Sequence, residues 1–379
     1  MTFFLNILSK VVTFGFLGLI LFGLPFLAPY IKKAAEPVPY QATETPLPIL
    51  EKLGKITPTI KIPVIDKETP AKEKIKNIEN ALATLRPETS TATPPNIPET
   101  NLKVRESTVN ILCSTNFSPF KAITATGVII DPRGVIITNA HVGQYFLLKN
   151  YAGPNSIDCV VRTGSPARPK YRGDLIFISP KWIEKNKNNL KEETPLGTGE
   201  NDFAFIVINK KINGEKLAEK FPHLEPETED SNIDREKKVD HIVAGYPAGF
   251  LGASAVEQNL YTASAVSKIQ EIFTFQETTV DLVSLGGNVV AQKGSSGGAV
   301  FSSDKNKLLG LIVTTTDAKT TGERDLRAIT LSHVNRSLSD STGKGIKGYL
   351  SANLDETLSL FNKNSFPQLS QILKDVLSK

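Results

Sequence analysis

The chain has 379 residues, 40% of them hydrophobic and 22% charged, which excludes disorder throughout and allows a sizeable core. Lys and Arg number 44 against 39 Asp and Glu, a net charge of +5 with no long basic run, so nucleic-acid binding is not called for. Cys113 and Cys159 are the only cysteines, which excludes a zinc site of four cysteines built from this chain alone.

Val11 to Ile31 carries no charge and is flanked by Lys10 and by Lys32 and Lys33. That run is long enough to cross a bilayer. A small-x-small cleavage site is poor, because Phe26 stands two before Ala28 and Lys33 two before Ala35. The segment 1–33 is therefore expected to be an uncleaved single-pass anchor. One Lys before the run and two after it argue weakly against an external C-terminal part. In 34–100 the composition turns to Pro, Thr, Glu and Lys, with eleven of the 24 prolines, as in an extended linker. Within it, Ile75, Ile78, Leu82 and Leu85 share one helical face over 71–86, between a Thr69-Pro70 start and a Pro87 stop. Such a helix either docks on its own domain or self-associates.

From about Asn101 the pattern is β. Val109, Ile111 and Cys113 alternate, as do Ile157, Cys159 and Val161. Two apolar runs, Gly127–Asp131 and Gly134–Thr138, flank the turn signal Pro132-Arg133. Phe203–Ile208 is another strand, and further strands are expected at 240–243, 261–269, 279–285, 299–301, 308–315 and 326–331. Charged stretches at 181–200 and 211–238 interrupt them. The grouping predicts a mostly β fold of two packed barrels, about 101–212 and 239–338. A polar tail, 339–379, ends in a helix over Pro367–Leu377.

One stretch suggests chemistry: Gly294-Ser295-Ser296-Gly297-Gly298. A nucleophilic serine needs a sharp turn on which backbone N–H groups converge, and flanking glycines permit it. Of the four histidines, His223 lies in a charged stretch and reads as surface, while His241 and His333 sit beside strands and read as structural. His141 instead stands where the strand Gly134–Asn139 leaves for a loop, in the string Thr138-Asn139-Ala140-His141-Val142. Asp202, at the mouth of the strand Phe203–Ile208, supplies the acid that would orient a histidine base.

Several strings then resemble the trypsin-like serine peptidases of the chymotrypsin fold, nearest the HtrA/Deg type. Thr126–Val142 is similar to that family's hairpin ending in the catalytic histidine, and Asn201–Val207 to its aspartate strand. Gly245–Gly249 resembles the turn opening the second barrel, and Tyr261–Ser267 and Ala328–Val334 resemble later strands. The resemblance covers about 101–338 and implies two six-stranded Greek-key antiparallel β-barrels with the active site between them. It implies Ser296 as nucleophile, His141 as base, Asp202 as orienting acid, and the N–H groups of Gly294 and Ser296 as oxyanion hole, with no metal or cofactor.

The chain departs from the family in three places. The roughly 40 residues after Arg336 are too few for the PDZ domain that HtrA-type enzymes usually carry. The two charged insertions have no counterpart in the matched strings. Gly286–Lys293 lacks the usual Asp-Ala and Asn-Pro elements. In this fold the residue six before the nucleophile, here Val290, lies at the base of the specificity pocket, which implies cleavage after small or medium aliphatic residues. The family's strand order also makes the strands of Cys113 and Cys159 neighbours; the two read as a disulfide or as two buried thiols. The leading expectation is a membrane-tethered serine endopeptidase acting on proteins or peptides outside the cytoplasm, in quality control or signalling. The alternatives are an inactive protease-fold binding module and a self-cleaving surface protein. Homo-oligomerisation is left open.

Overall fold

The computed structural model describes residues 96–115, 121–191, 198–230, 232–275, 278–316, 318 and 320–378. The apolar run Val11–Ile31, the linker before residue 96 and the helix expected over 71–86 lie outside the described residues. Among the described residues no helix is long and apolar enough to cross a membrane.

The described chain begins with helix α1 (Ile97–Ser107), where a linker end and then a strand were expected. Asn96 caps it by accepting the Glu99 N–H, and proline occupies the first turn, where its missing N–H costs nothing. Six strands follow: β1 (Thr108–Thr115), β2 (Ile123–Asp131), β3 (Val135–Thr138), β4 (Ile157–Thr163), β5 (Arg168–Ile178) and β6 (Ala204–Lys211). They close into a barrel in the order β1-β2-β3-β6-β5-β4. At the β2–β3 turn Gly134 takes φ +88°, and the Asp131 carboxylate accepts the Arg133 N–H, which fixes the hairpin.

Strands β3 and β6 are apolar without alternation because both their faces are covered. Ile136 and Ile206 point into the first barrel core, while Val135, Ile137, Phe205 and Val207 join a second cluster with Ile242, Ala244, Ala299 and Phe301 from the second half of the chain. This second cluster is the seam along which the two sheets pack.

Cys113 and Cys159 face each other across the β1–β4 ladder and are joined by a disulfide. Cys113 is fully buried and Cys159 half-buried against the barrel core.

The second sheet corrects the expectation of two six-stranded barrels. It has seven strands: β7 (His241–Gly245), β8 (Ala263–Ser267), β9 (Glu271–Phe273), β10 (Leu282–Ser284), β11 (Ala299–Ser302), β12 (Lys307–Thr315) and β13 (Leu326–Thr330). Their order is β8-β7-β11-β12-β13-β10-β9, with no ladder joining the ends among the described residues. Yet the end strands β8 and β9 are consecutive in the chain, with only Lys268, Ile269 and Gln270 between them. Three residues reach about 10–14 Å at most, so the sheet must curl until its edges nearly meet. The strand expected over 261–269 thus covers only 263–267, and Ile269 turns into the core before β9 begins.

The charged stretch 181–200 contributes helix α2 (Pro180–Asn186) and a 3₁₀ turn (Lys187–Lys191). The stretch Ser/Gly-rich after Arg336 is not a plain tail. Helix α3 (Leu331–Thr342) starts directly after β13, capped by the Thr330 hydroxyl and ended by Gly343 at φ +73°. Three more helices follow, Ile346–Leu350, Leu354–Asn364 and Phe366–Leu377. The last returns to the first barrel: Leu369 and Leu373 join its core, and the Ser370 hydroxyl donates to the Leu147 carbonyl.

Candidate active site

The β3–β6 ladder brings His141 and Asp202 together. Thr138 pairs with Ala204 in antiparallel register, so the chain leaves β3 where it enters β6. His141 is the second residue of a helix, Ala140–Leu147, whose first N–H groups have no partner within the helix. Asp202 supplies one. Its Oδ1 accepts the His141 backbone N–H at 2.9 Å, and its Oδ2 lies 2.8 Å from His141 Nδ1. The carboxylate therefore caps the helix and orients the ring at once. Asn139 Nδ2 donates to the Asp202 carbonyl at 3.0 Å, and Gln144 Nε2 to the His141 carbonyl at 2.9 Å, so both partners are braced.

The Asp202 side chain is nearly buried and the His141 ring is about a third exposed. Burial works against a charged imidazole, but the Asp202 carboxylate outweighs it through charge and hydrogen bonding, and the His141 pKa is raised above the ordinary 6.5.

Ser296 sits on the loop 294–298 that runs into β11, a central strand between β7 and β12. Gly294 (φ +94°) and Gly297 (φ +83°) take conformations that favour glycine. Gly297 also needs the space: a Cβ there would overlap the Thr126 carbonyl and the Thr138 hydroxyl, which shows how closely the loop rests on the strand leading to His141. Within the loop Ser295 N–H donates to Gln292 O, Gly297 N–H to Ile312 O and Gly298 N–H to Ser295 O. The N–H groups of Gly294 and Ser296 have no protein acceptor among the described bonds. Two unpaired donors two residues apart are what a developing oxyanion needs. No described hydrogen bond joins Ser296 Oγ to His141; without substrate such contacts are often long.

Val290 has no exposed surface and packs with Val243, Val300, Ile312 and Ala328 in the core of the second sheet. Asp281, the nearest acid upstream of it, is already occupied: it accepts from Phe275 N–H, Thr279 Oγ1 and Arg336, and pairs with His333. These partners outweigh its burial and pull its pKa down to about 2. His241 is likewise bound in a fully buried pair with Glu236 at 3.0 Å, and His223 is half-buried with Nδ1 3.1 Å from the Phe221 carbonyl. Among the described residues no cluster of His, Cys, Asp and Glu could hold a metal ion.

Sequence reasoning missed four residues that hold this site from outside it: Thr126, whose N–H donates to the Ser296 carbonyl, Ala248, whose N–H donates to the Lys293 carbonyl, and Asn139 and Gln144. The signal for Thr126 was a polar residue inside the apolar stretch Ala125–Ile130 of β2, but its partners lie in the loop 294–298, at Tyr246 and at Thr138.

A closed six-stranded barrel packed on a curled antiparallel sheet, with a histidine–carboxylate pair and a glycine-flanked serine loop at the seam, fits the fold of the chymotrypsin-type serine peptidases. The sequence model of one family, the trypsin-like peptidase domain, matches residues 125–311. Those residues are a trypsin-like peptidase domain. No curated protein matches the chain.

Proposed function

We propose that the protein is a serine endopeptidase in which Ser296 attacks the scissile carbonyl, His141 takes its proton and returns it to the leaving amine, and Asp202 holds His141 in the right tautomer. The N–H groups of Gly294 and Ser296 receive the oxyanion. The observation that carries this reading is the two-point grip of Asp202 on His141, at 2.9 and 2.8 Å, beside a loop that leaves two N–H groups free. The free donors favour catalysis over an inactive protease-fold binding module, since a collapsed oxyanion loop would spend at least one of them internally. A fluorophosphonate probe tests the reading: it should label the wild type and not Ser296→Ala, and an unlabelled wild type would overturn it.

The base form of His141 is the neutral ring. Because its pKa is raised, the neutral form appears only above that raised value. The acid limb of kcat/KM should therefore have its midpoint above 6.5, as read from a pH–rate profile on a short peptide. A midpoint below 6.5 would show that Asp202 does not govern the ring.

The substrates are unfolded or flexible protein segments, cut after Val, Ala, Ile or Leu. Two observations support this. Val290 packs in the apolar core of the second sheet and brings no charge to it, and Asp281 has no oxygen to spare for a basic side chain, whose burial without a partner is costly. A peptide-library digest should show cuts after aliphatic residues; dominance of cuts after Arg or Lys would overturn the pocket assignment alone. The apolar run Val11–Ile31 would tether the domain to a membrane as a single-pass anchor, on the extracytoplasmic side. The bulk of the full chain should then resist carbonate extraction from membranes, and its release would overturn the tether.

A further inference from the structure

We infer that Thr126, on β2 of the first barrel, is a positioning residue that presets the two free N–H groups of the Ser296 loop. The inference rests on the serine-peptidase reading above and deepens it.

Thr126 has no exposed surface, and all of its polar groups are used. Its N–H donates to the Ser296 carbonyl at 2.8 Å. Its hydroxyl donates to the Gly294 carbonyl at 2.7 Å and accepts the Tyr246 N–H at 2.9 Å. Its own carbonyl accepts the Thr138 hydroxyl at 2.8 Å, three residues before His141. One side chain from the first barrel thus ties together the loop, the turn that leaves β7 and, through its backbone, the strand that carries the histidine.

In a trans peptide the N–H and C=O of one unit point opposite ways, so holding a carbonyl aims the N–H of the same unit. Three consecutive units of the loop are held in this way. Lys293 O accepts the Ala248 N–H at 2.7 Å, which aims the N–H of Gly294. Ser295 O accepts the Gly298 N–H at 2.8 Å, which aims the N–H of Ser296. The unit between them, Gly294–Ser295, is held at its carbonyl by the Thr126 hydroxyl and at its N–H by Gln292 O. That middle unit sets the spacing and angle between the two donors. The bond from Tyr246 N–H to the same hydroxyl fixes the turn that supplies Ala248, so both outer supports depend on a turn or loop that Thr126 holds. Without the hydroxyl, Gly294 O and the Tyr246 N–H lose their buried partner, and the loop relaxes to satisfy them.

The test compares Thr126→Val, which keeps the branched shape without the hydroxyl, with Thr126→Ser, which keeps the hydroxyl. The Val variant should lose ~10²-fold in kcat on a short peptide, while its KM changes by less than ~3-fold and the Ser variant keeps most of the activity. The acid limb of the pH profile should not move, because neither His141 nor Asp202 is touched. Wild-type kcat in the Val variant, a loss confined to KM, or equal losses in Val and Ser variants would overturn the inference. A second measurement needs no turnover: amide exchange in the Ser296→Ala background. Thr126→Val should speed exchange over 292–298 and at Tyr246 and leave the barrel strands unchanged. A rise spread evenly over both sheets would mean general destabilisation and would overturn the inference. If the wild type proves inert to the fluorophosphonate probe, the endopeptidase reading fails, while the exchange result still decides whether Thr126 holds the loop.

Discussion

Ser296→Ala should lower kcat by about 10⁴-fold or more while leaving the melting temperature unchanged within error. The separation of the two effects follows from what Ser296 touches. Its carbonyl is held by Thr126 N–H through the backbone, which alanine keeps, and its hydroxyl makes no described hydrogen bond. Removing that hydroxyl orphans no buried group, so the fold has nothing to lose. His141→Ala is a less clean experiment. It would strand the nearly buried Asp202 carboxylate with only the backbone N–H of residue 141 as partner, and a buried charge without its counterpart is strongly destabilising. The Ser296 variant, assayed on unfolded casein beside a thermal melt, is therefore the one to trust. Near-wild-type turnover would remove Ser296 from the chemistry.

The first barrel and the grouping of the candidate site were legible because their signals are local. Thr138 and His141 lie three residues apart, Asp202 opens an apolar run, and glycines bracket Ser296. What was not legible depends on distant partners. The apolar residues on the buried face of helix α3 are only Leu331, Val334 and Leu338, in a segment rich in Ser, Thr, Asn and Asp, which are weak helix formers. It forms because that narrow stripe packs into the seam cluster, a fact no local pattern contains. The end of β8 at Ser267 hides for the same reason: 261–269 reads as one strand, and only the closing of the sheet turns Ile269 into the core ahead of β9. Helix α1 was obscured differently. Its cap, Asn96, and its first-turn proline sit at the end of a proline-rich stretch, whose composition argued for linker. Thr126 is the sharpest case, since nothing beside it in the chain tells a buried threonine with four cross-chain bonds from one that only fills space.

Asp202→Asn should cost about 10⁴-fold in kcat at neutral pH with the fold retained. The reason is that the carboxylate serves two donors at once, the His141 backbone N–H and the His141 Nδ1–H. An amide has one oxygen. The backbone N–H can only donate, so the amide oxygen must face it, which leaves the NH₂ group facing Nδ1. The ring then has to accept at Nδ1, and its proton moves to Nε2, the nitrogen that must accept the Ser296 proton. The opposite amide orientation sets NH₂ against a backbone N–H, donor against donor, at the start of a helix. The first orientation keeps the helix cap and so keeps the fold; it is the chemistry that is lost. Fluorophosphonate labelling should slow along with turnover, because the same proton transfer activates Ser296 toward either electrophile. Removing the Asp202 charge also removes what raises the His141 pKa, so the acid limb of any residual activity should shift to lower pH. Full-speed turnover by the Asn variant would show that His141 does not work through the Nδ1 hydrogen bond, whatever the fate of Ser296.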